Sequence, residues 1–403
     1  MKITKLSLIA ALAVSAAVAG GDIEPAPVAV EEAPQTTIAG KLTGYYYTDD
    51  SVDLFDTRSS ALGTAVTLDV AHKFTENITA NFGAVGYTNL MNDKDIGYFE
   101  QDGRSGAFIN VANLTATFMD TTFILGRQLL NTPMLAGFDW LLAPGSFEAY
   151  TIANSSIENV TLIGSYVRTW RINNTGDNWI NLNDIDNGNN WTVSAAYDNK
   201  TISGSVWYYN VDAGQAAGAV HGQGKNGLGI DKYTQIYVDG AYDFGTAKIF
   251  AQYVNTNYNT DTIDDSNVFG VKGTATLGNF NLMAAYVNIS DNVAGWVGVM
   301  DGLYTSSWNT ATGNSIGNNY KVEAGTEFWG LTASASYAYY EYKDSSIVNN
   351  DGHEADVILG YDFKNTDVMV IKDMDINLVY SNTNYGADSS DVNALEIYAN
   401  YKF

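Results

Sequence analysis

The sequence contains no cysteine, only 5 prolines and only 3 histidines in 403 residues. Without cysteine the chain has neither disulfide bridges nor thiol chemistry, and a chain of this length can fold without either. Basic residues are also scarce, since 20 lysines and arginines stand against 45 acidic residues and the formal net charge is −25. This balance argues against nucleic acid as a partner, because nucleic-acid binding relies on basic side chains.

Long hydrophobic runs are absent as well. The longest apolar stretch, residues 6–18, is shorter than the ~20 residues that a membrane-spanning helix needs. Lys2 and Lys5 precede it and small residues follow at 17–19, a pattern typical of a secretory signal peptide over residues 1–19. A buried N-terminal helix is the alternative. The next segment, 20–36, is rich in Pro, Ala and Glu and predicts a flexible periplasmic lead-in.

The remaining composition favours β-structure, with 38 Gly and 27 Tyr. From Thr37 onward, apolar and polar residues alternate in segments of about ten residues, the length of a tilted strand that crosses a bilayer. We count eighteen such segments: 38–47, 62–73, 78–88, 107–118, 121–128, 147–153, 159–170, 191–198, 201–210, 232–243, 246–256, 268–276, 280–287, 320–328, 331–342, 353–363, 373–383 and 392–403.

The connections between these segments alternate in length. Tight turns such as 199–200 and 278–279 are followed by long polar connections such as 211–231 and 288–319. No segment contains a proline, which would remove a ladder hydrogen bond that lipid cannot replace. The pattern predicts an all-β fold, a transmembrane antiparallel barrel of about eighteen strands over residues 37–403. A soluble β-sandwich shares the alternation but does not sort its loops by length.

The two faces of each strand can be assigned from the alternation. We expect Val66, Val193 and Val357, with their alternate neighbours, to face lipid. Tyrosines crowd the strand ends, as in interfacial girdles, although some of them could be cross-strand packing pairs. In the last strand, Leu395, Ile397, Ala399, Tyr401 and Phe403 alternate with more polar residues.

This last strand resembles the C-terminal strand of bacterial outer-membrane barrels. The resemblance implies that Phe403 and Tyr401 form the assembly signal for the barrel-assembly machinery, and that the protein lies in the bacterial outer membrane. Its surroundings would then be membrane lipid and lipopolysaccharide.

The connection after the fifth segment is unusually apolar. Residues 126–154 read GRQLLNTPMLAGFDWLLAPGSFEAYTIAN, with too many large apolar side chains for a solvated loop, so we expect the loop 129–146 to fold into the barrel. GRQ, TP, FDWLLAP and SFE in this stretch are similar to the inward third extracellular loop of OprD-like porins and campylobacter-type major outer-membrane porins. The resemblance implies a channel for small hydrophilic solutes and ions that is narrowest at this loop. It implies a trimeric or a monomeric protein, and we expect a homotrimer.

The resemblance also implies site residues. The expected constriction residues are Arg127, Asp139, Glu148, Arg171 and Arg168. Arg127 shares a face with Phe123 and Leu125, so it needs a bulge or a rim position to reach the lumen. At the pore mouth we expect Arg58, Arg104, Asp93, Asp95 and Asp102. An alternative is that Arg127 and Glu148 only hold the loop to the wall.

The distribution of charged residues predicts the ion selectivity of the pore. OprD-like channels for carboxylates carry many arginines, but this chain has five, and acids crowd its long connections, so we expect weak cation selectivity. Asp184 and Asp186 are candidate ligands of a structural Ca²⁺, although plain solvation explains them as well; otherwise no cofactor is expected. The histidines lack a nucleophile pattern, so we expect no enzyme. The alternative function is a surface adhesin or structural protein with little channel activity.

Overall fold

The structure is a computed structural model, and it describes residues 35–91, 105–135, 137, 142–171, 179–181, 189–212, 232–258, 264–291, 302–310, 316–341, 343, 351–365, 371–386 and 391–403. No helix among these residues is long and apolar enough to cross a membrane.

The described chain forms one antiparallel sheet. Its strands are β1 (Gln35–Asp49), β2 (Ser60–Thr75), β3 (Ile78–Asn89), β4 (Gly106–Phe118), β5 (Thr121–Gln128), β6 (Ser146–Ile157), β7 (Val160–Arg171), β8 (Ile180–Asn181), β9 (Trp191–Asp198), β10 (Ile202–Asp212), β11 (Lys232–Asp243), β12 (Ala247–Asn257), β13 (Ser266–Leu277), β14 (Phe280–Ile289), β15 (Gly317–Phe328), β16 (Leu331–Tyr340), β17 (Gly352–Asp362), β18 (Met374–Asn384) and β19 (Val392–Lys402).

The sheet closes on itself. β1 pairs with β2 on one side and with β19 on the other, in a register that runs from Lys41 opposite Lys402 to Asp49 opposite Ala394. β8 has two residues and pairs only with the end of β7, so the barrel wall consists of eighteen long strands. The prediction of a closed antiparallel barrel of eighteen strands is confirmed, and each predicted segment overlaps one long strand.

The C-terminal residue completes the closure. The backbone amide of Gly40 donates to the carbonyl of Phe403 at 2.7 Å, and the amide of Phe403 donates back at 3.0 Å. The Phe403 ring covers the backbone of Gly40 so closely that a side chain there would overlap it. Tyr401 stacks on Phe403 with ring centroids 6.3 Å apart. The predicted assembly signal therefore lies on the seam between the first and last strands.

The two rims of the barrel differ. Turns of two or three residues join β4 to β5, β9 to β10 and β13 to β14 at one rim, whereas long connections such as 129–145 and 290–316 leave the other. Short turns are periplasmic in outer-membrane barrels, which makes the rim with long connections the extracellular one.

The two faces of the wall follow the predicted alternation. Val66, Val193 and Val357 are 43%, 47% and 41% exposed on the outer face, where an isolated barrel presents its lipid-facing side chains. Their neighbours along the strands, such as Thr192 and Asp356, are buried on the inner face. Tyr46, Tyr208 and Tyr339 follow the outward alternation, while Tyr45, Tyr209 and Tyr340 are buried inside.

Near the extracellular rim, each of the nine strands that lead into the long connections has two successive outward-facing positions. Together these positions form a ring around the outer face. We call it the outer ring. The first position is tyrosine in seven of these strands: Tyr46, Tyr166, Tyr208, Tyr253, Tyr286, Tyr339 and Tyr380. The second position, two residues later, is Thr48, Thr88, Arg127, Arg168, Asn210, Asn255, Asn288, Glu341 or Asn382. Aromatic residues at this level are typical of the water–lipid boundary.

The inner face carries two apolar clusters. One joins the wall from β6 to β14 with Leu130, Met134, Leu135, Leu303 and Tyr304 of two long connections. The other joins β1–β4, β18 and β19 with Leu142 and Ala143. Segments of two extracellular connections therefore lie inside the barrel and are packed against its wall.

Candidate functional site

The first inward loop comprises residues 129–145, of which 129–135, 137 and 142–145 are described. Leu135 and Leu142 are 0% and 1% exposed, buried against the inner wall. A local turn shapes the loop, because the Thr132 hydroxyl accepts from the Leu135 amide at 2.9 Å. The Tyr209 hydroxyl on β10 donates to Thr132 Oγ1 at 2.9 Å and accepts from the Met134 amide at 3.3 Å. Hydrophobic burial and one tyrosine therefore hold this part of the loop.

Arg171, at the end of β7, fastens the return of the same loop. Its side chain is fully buried, and its guanidinium carbon lies 3.9 Å from the centroid of the Phe108 ring. Nη2 donates to Asn110 Oδ1 at 3.1 Å and to the carbonyl of Pro144. Since hydrogen bonds that involve a charged donor are stronger than neutral ones, Arg171 ties the loop to the wall of β4.

A second inward loop, residues 302–310, belongs to the long connection between β14 and β15. Gln252 on β12 holds its start: Nε2 donates to the carbonyl of Gly302 at 2.9 Å, and Oε1 accepts from the amide of Tyr304 at 2.8 Å. Burial raises the pKa of the Tyr304 hydroxyl. This hydroxyl donates to the carbonyl of Ala251 at 3.1 Å, so the loop binds the wall along its length.

Two buried carboxylates hold the end of the second loop. Glu354 on β17 accepts from the amide of Asn309 at 2.7 Å and from the Thr310 hydroxyl at 2.6 Å. Glu396 on β19 accepts from Trp308 Nε1 at 2.8 Å and from the Tyr45 hydroxyl at 2.9 Å. Both side chains are nearly inaccessible, at 0% and 3% exposure. Buried acceptors of this kind are stable only when donors satisfy them, and the loop supplies those donors.

Two lysine side chains on other strands also contact the second loop. Lys272 on β13 lies 4.2 Å from the centroid of Phe250 and 4.4 Å from that of Tyr304, an arrangement of cation–π contacts. Lys321 on β15 donates to the carbonyl of Ser306 at 2.8 Å and lies 4.0 Å from Glu323. The loop thus contacts lysines of one part of the wall and carboxyl groups of another.

The two inward loops contact each other. Gly302 approaches the carbonyl of Pro133 so closely that a Cβ at this position would overlap it, and the sulfur of Met134 would lie 3.5 Å from that Cβ. A residue without a side chain is therefore required at this contact. The described parts of the loops meet inside the barrel, a geometry that narrows the interior.

Three of the predicted constriction residues point away from this interior. Arg127 opposes Glu148 in the sheet, and Glu148 receives Arg168 Nη1 at 3.0 Å. Their neighbours Leu125 and Tyr150 are 45% and 44% exposed on the outer face, while Phe147 and Ala149 are buried inside. The geometry thus corrects the expectation that Arg127, Glu148 and Arg168 line the constriction, because strand alternation directs them outward.

Among the remaining predicted residues, Arg58 lies in the connection between β1 and β2, where Nη2 is 2.9 Å from Asp56 Oδ2. Hydrogen bonds from Arg58 lower the pKa of Asp56 to about 2. The other predictions lie outside the described residues, namely Asp139 of the constriction, Arg104, Asp93, Asp95 and Asp102 of the mouth, and the Ca²⁺ candidates Asp184 and Asp186.

The second inward loop was not recognised in the sequence, where residues 288–319 were interpreted as a long polar connection. A signal was present, because Leu303, Tyr304 and Trp308 are large apolar side chains in a supposed surface loop, as in residues 129–146. Glu354 and Asp356 lie on β17 and face inward, so these two acids belong to the wall and not to a long connection.

Comparison with known proteins supports the fold. No protein-family model and no curated protein matches the chain. Among solved structures, the outer-membrane protein OpdK of Pseudomonas aeruginosa is 13% identical with a TM-score of 0.74, and the match covers 92% of this chain and 99% of OpdK. OccK9 (OpdG) of the same organism is 16% identical with a TM-score of 0.73, and the match covers 91% of this chain and 98% of OccK9.

OccK2 (OpdF) of P. aeruginosa, solved in complex with glucuronate, is 11% identical with a TM-score of 0.73 over 91% of this chain and 98% of OccK2. These similarities agree with the predicted OprD-like barrel, whereas the campylobacter-type assignment stays a prediction. The chain has the fold of the OccK outer-membrane porins.

Proposed function

We propose that this protein is a porin of the bacterial outer membrane, a passive diffusion channel for small hydrophilic solutes and ions. The observation that carries the proposal is the pair of loops folded into a closed barrel with a lipid-compatible outer face. Barrels of this size enclose a water-filled lumen unless something fills it, and inward loops define its narrowest part.

The constriction that we propose combines both inward loops. Arg171 serves as the buried anchor of the first loop, and Glu354 and Glu396 are anchors of the second. Asp139 remains a proposed constriction residue, since it belongs to the first loop. Arg58, Arg104, Asp93, Asp95 and Asp102 remain proposed mouth residues, because they belong to the extracellular connections.

We infer weak cation selectivity from the charge. The net charge of −25 concentrates cations near the mouth. OccK2 was solved with glucuronate and OpdK with vanillate, both carboxylic acids. In this chain Lys272 and Lys321 are cations on the described inner wall, and both are already engaged by aromatic rings or a carbonyl. Their engagement supports a weaker attraction for anionic solutes.

Planar-bilayer recording tests this function. We expect ohmic conductance steps from folded protein and, in a KCl gradient, a reversal potential on the cation-selective side. The Asp139→Asn variant should move the reversal potential toward zero, whereas Glu158→Gln, in a periplasmic turn, should leave it unchanged. Folded protein without conductance steps would favour the adhesin or structural alternative, and anion selectivity of the wild type would contradict the charge argument.

Other parts of the proposal concern partners. The seam position of Phe403 supports recognition of the last strand by the barrel-assembly machinery, since this residue completes the pairing with β1. A homotrimer and a structural Ca²⁺ at Asp184 and Asp186 remain proposals, which chemical cross-linking in membranes and calorimetric Ca²⁺ titration would test.

A further inference from the structure

Three strands of the outer ring share one hydrogen-bond pattern. On β12, the Tyr253 hydroxyl donates to Asn267 Oδ1 at 2.7 Å, and Asn255 Nδ2 donates to the same oxygen at 3.1 Å. The same geometry recurs twice, from Tyr286 and Asn288 to Asn318 and from Tyr380 and Asn382 to Asn393, with distances of 2.7–3.0 Å. In these strands the polar groups of the ring are satisfied within the wall.

Two strands of the outer ring carry an arginine at the second position. Their second position is Arg127 on β5 and Arg168 on β7, whereas it is Thr, Asn or Glu on the other seven. β5 and β7 are separated only by β6, so the two arginine backbones lie about 10 Å apart. Arg168 is the extra residue of a β-bulge, since Thr169 opposes Glu148 and Val167 opposes Ala149. Bulges redirect side chains, and this one presents Arg168 on the outer face.

The protein contacts of the two guanidinium groups leave donors available. Arg168 Nη1 donates to Glu148 Oε1 at 3.0 Å and to the Tyr150 hydroxyl at 3.3 Å. Arg127 Nη1 donates to the carbonyl of Ile109 at 3.2 Å, and its guanidinium lies 4.3 Å from the Trp179 ring centroid. Among the described residues, Nη2 and Nε of both arginines have no protein acceptor.

The net charge around Arg127 and Arg168 is opposite in sign to the net charge of the whole molecule. Two arginines and one glutamate leave a local net positive charge on the outer wall of a chain with a net charge of −25. A guanidinium exposed to lipid is costly, and the cost falls toward the headgroup level. Arginine binds phosphate through paired N–H donors, and phosphate is the anionic group of the lipid headgroups at this level.

We propose that the outer face of β5–β7, at Arg127 and Arg168, binds the phosphorylated sugar headgroup of an outer-leaflet glycolipid. Nη2 and Nε of the two arginines contact the phosphates, and Trp179, Tyr150 and Tyr166 lie at the level of the sugar. This inference rests on the proposed outer-membrane location. It assigns to the two arginines a role outside the channel.

Native mass spectrometry of the full-length protein in a non-ionic detergent provides the test, with diphosphoryl lipid A as the probe. We expect the double variant Arg127→Gln/Arg168→Gln to bind lipid A at least about tenfold more weakly than the wild type. Lipid A without phosphates should bind the wild type as weakly as the probe binds the variant. Equal binding of both lipids, or of both proteins, would overturn the proposal.

Three comparisons sharpen this result. Arg58→Gln/Lys343→Gln removes the same charge from two exposed ion pairs of extracellular connections, and it should bind lipid A within about twofold of wild type. Arg127→Lys/Arg168→Lys keeps the charge but removes the paired N–H donors, so it should bind lipid A about threefold more weakly than wild type. This variant decides the case if the glutamine variant does not fold, because binding equal to wild type would then overturn the proposal. Displacement of lipid A by millimolar inorganic phosphate would mean that the site binds free anions, which would contradict the proposal.

The channel function is tested separately in the same variant. Because the two arginines face outward, Arg127→Gln/Arg168→Gln should conduct like wild type in planar bilayers, with the same reversal potential. A shifted reversal potential would place the arginines in the channel and overturn the lipid site. Absence of conductance in wild type as well would contradict the proposed function and leave the lipid result to stand by itself.

Discussion

The two inward loops are held to the wall by different chemistry. The first loop, 129–145, buries Leu130, Met134 and Leu135 in an apolar cluster. The second loop, 302–310, ends on the carboxylates of Glu354 and Glu396 and on the amide of Gln252. The hydrophobic effect that holds apolar side chains has no preferred direction. A carboxyl group, in contrast, binds only those donors that reach its two oxygens with suitable hydrogen-bond geometry.

This difference has a functional meaning. The apolar contacts fix the first loop without charge, and its charged anchor Arg171 is fully buried against Asn110 and Pro144. The carboxyl anchors fix the second loop through hydrogen bonds to Trp308, Asn309 and Thr310, so they set how far this loop narrows the lumen. We therefore expect substitutions in the first loop to change stability most, and substitutions at the carboxylates to change selectivity as well.

The largest effect is expected for Leu135→Ala in the first loop. Leu135 is fully buried, so the lost burial and the remaining cavity should reduce the free energy of unfolding by about 3 kcal/mol. Urea unfolding in lipid vesicles, followed by tryptophan fluorescence, measures this. The control is Leu129→Ala, because Leu129 is 45% exposed and its truncation should cost less than about 1 kcal/mol. Equal losses in the two variants would contradict the assignment of Leu135 to the anchor.

An intermediate effect is expected for Glu354→Gln/Glu396→Gln. Each amide keeps the shape of the side chain but replaces one acceptor oxygen with an NH2 donor, so the variant should unfold about 2 kcal/mol more easily. Freed from Asn309 and Trp308, the second loop should widen the channel, and planar-bilayer recording should give larger conductance and weaker cation preference. Glu327→Gln is the control, since Glu327 is exposed at the periplasmic end of β15. Unchanged conductance with full stability would show that the carboxylates do not hold the loop.

The smallest effect is expected at an extracellular connection that stays outside the barrel. The folded-state pKa of Asp56 is lowered to about 2 by Arg58, so the ion pair contributes above the ordinary carboxyl pKa of 3.8 and is lost as the pH falls toward 2. Arg58→Gln should return the carboxyl pKa toward 3.8, measured by NMR with ¹³C-labelled aspartate. Because the pair is exposed, the unfolding free energy at pH 7 should not change measurably. An unchanged Asp56 pKa in the variant would contradict the pairing.

The barrel itself could be predicted because its signals are local. Alternation with a period of two identifies strands and their lipid faces from neighbouring residues, as at Val193 and Val357, and tight turns mark the periplasmic rim. The terminal pattern that ends in Phe403 likewise anticipated the last strand. The apolar composition of residues 129–146 predicted an inward segment, and its described residues lie inside the barrel.

The site was less predictable because it depends on distant residues. Arg171 was expected to line the channel, but its partners Phe108, Asn110 and Pro144 come from another strand and from the loop, and together they bury it. The outward direction of Arg127 followed from parity, yet the similarity of the loop to known porins favoured the lumen. The carboxylate anchors of the second loop belong to strands that follow it by about 45 and 90 residues.

By itself, the sequence determined the number of strands, their faces and the seam, since hydrogen-bonded ladders in lipid permit only a closed sheet with a period of two. The tertiary structure alone decided which wall residues hold the inward loops and which charged side chains meet. Those outcomes depend on the satisfaction of buried polar groups by partners far away in the chain, and no local pattern encodes that pairing.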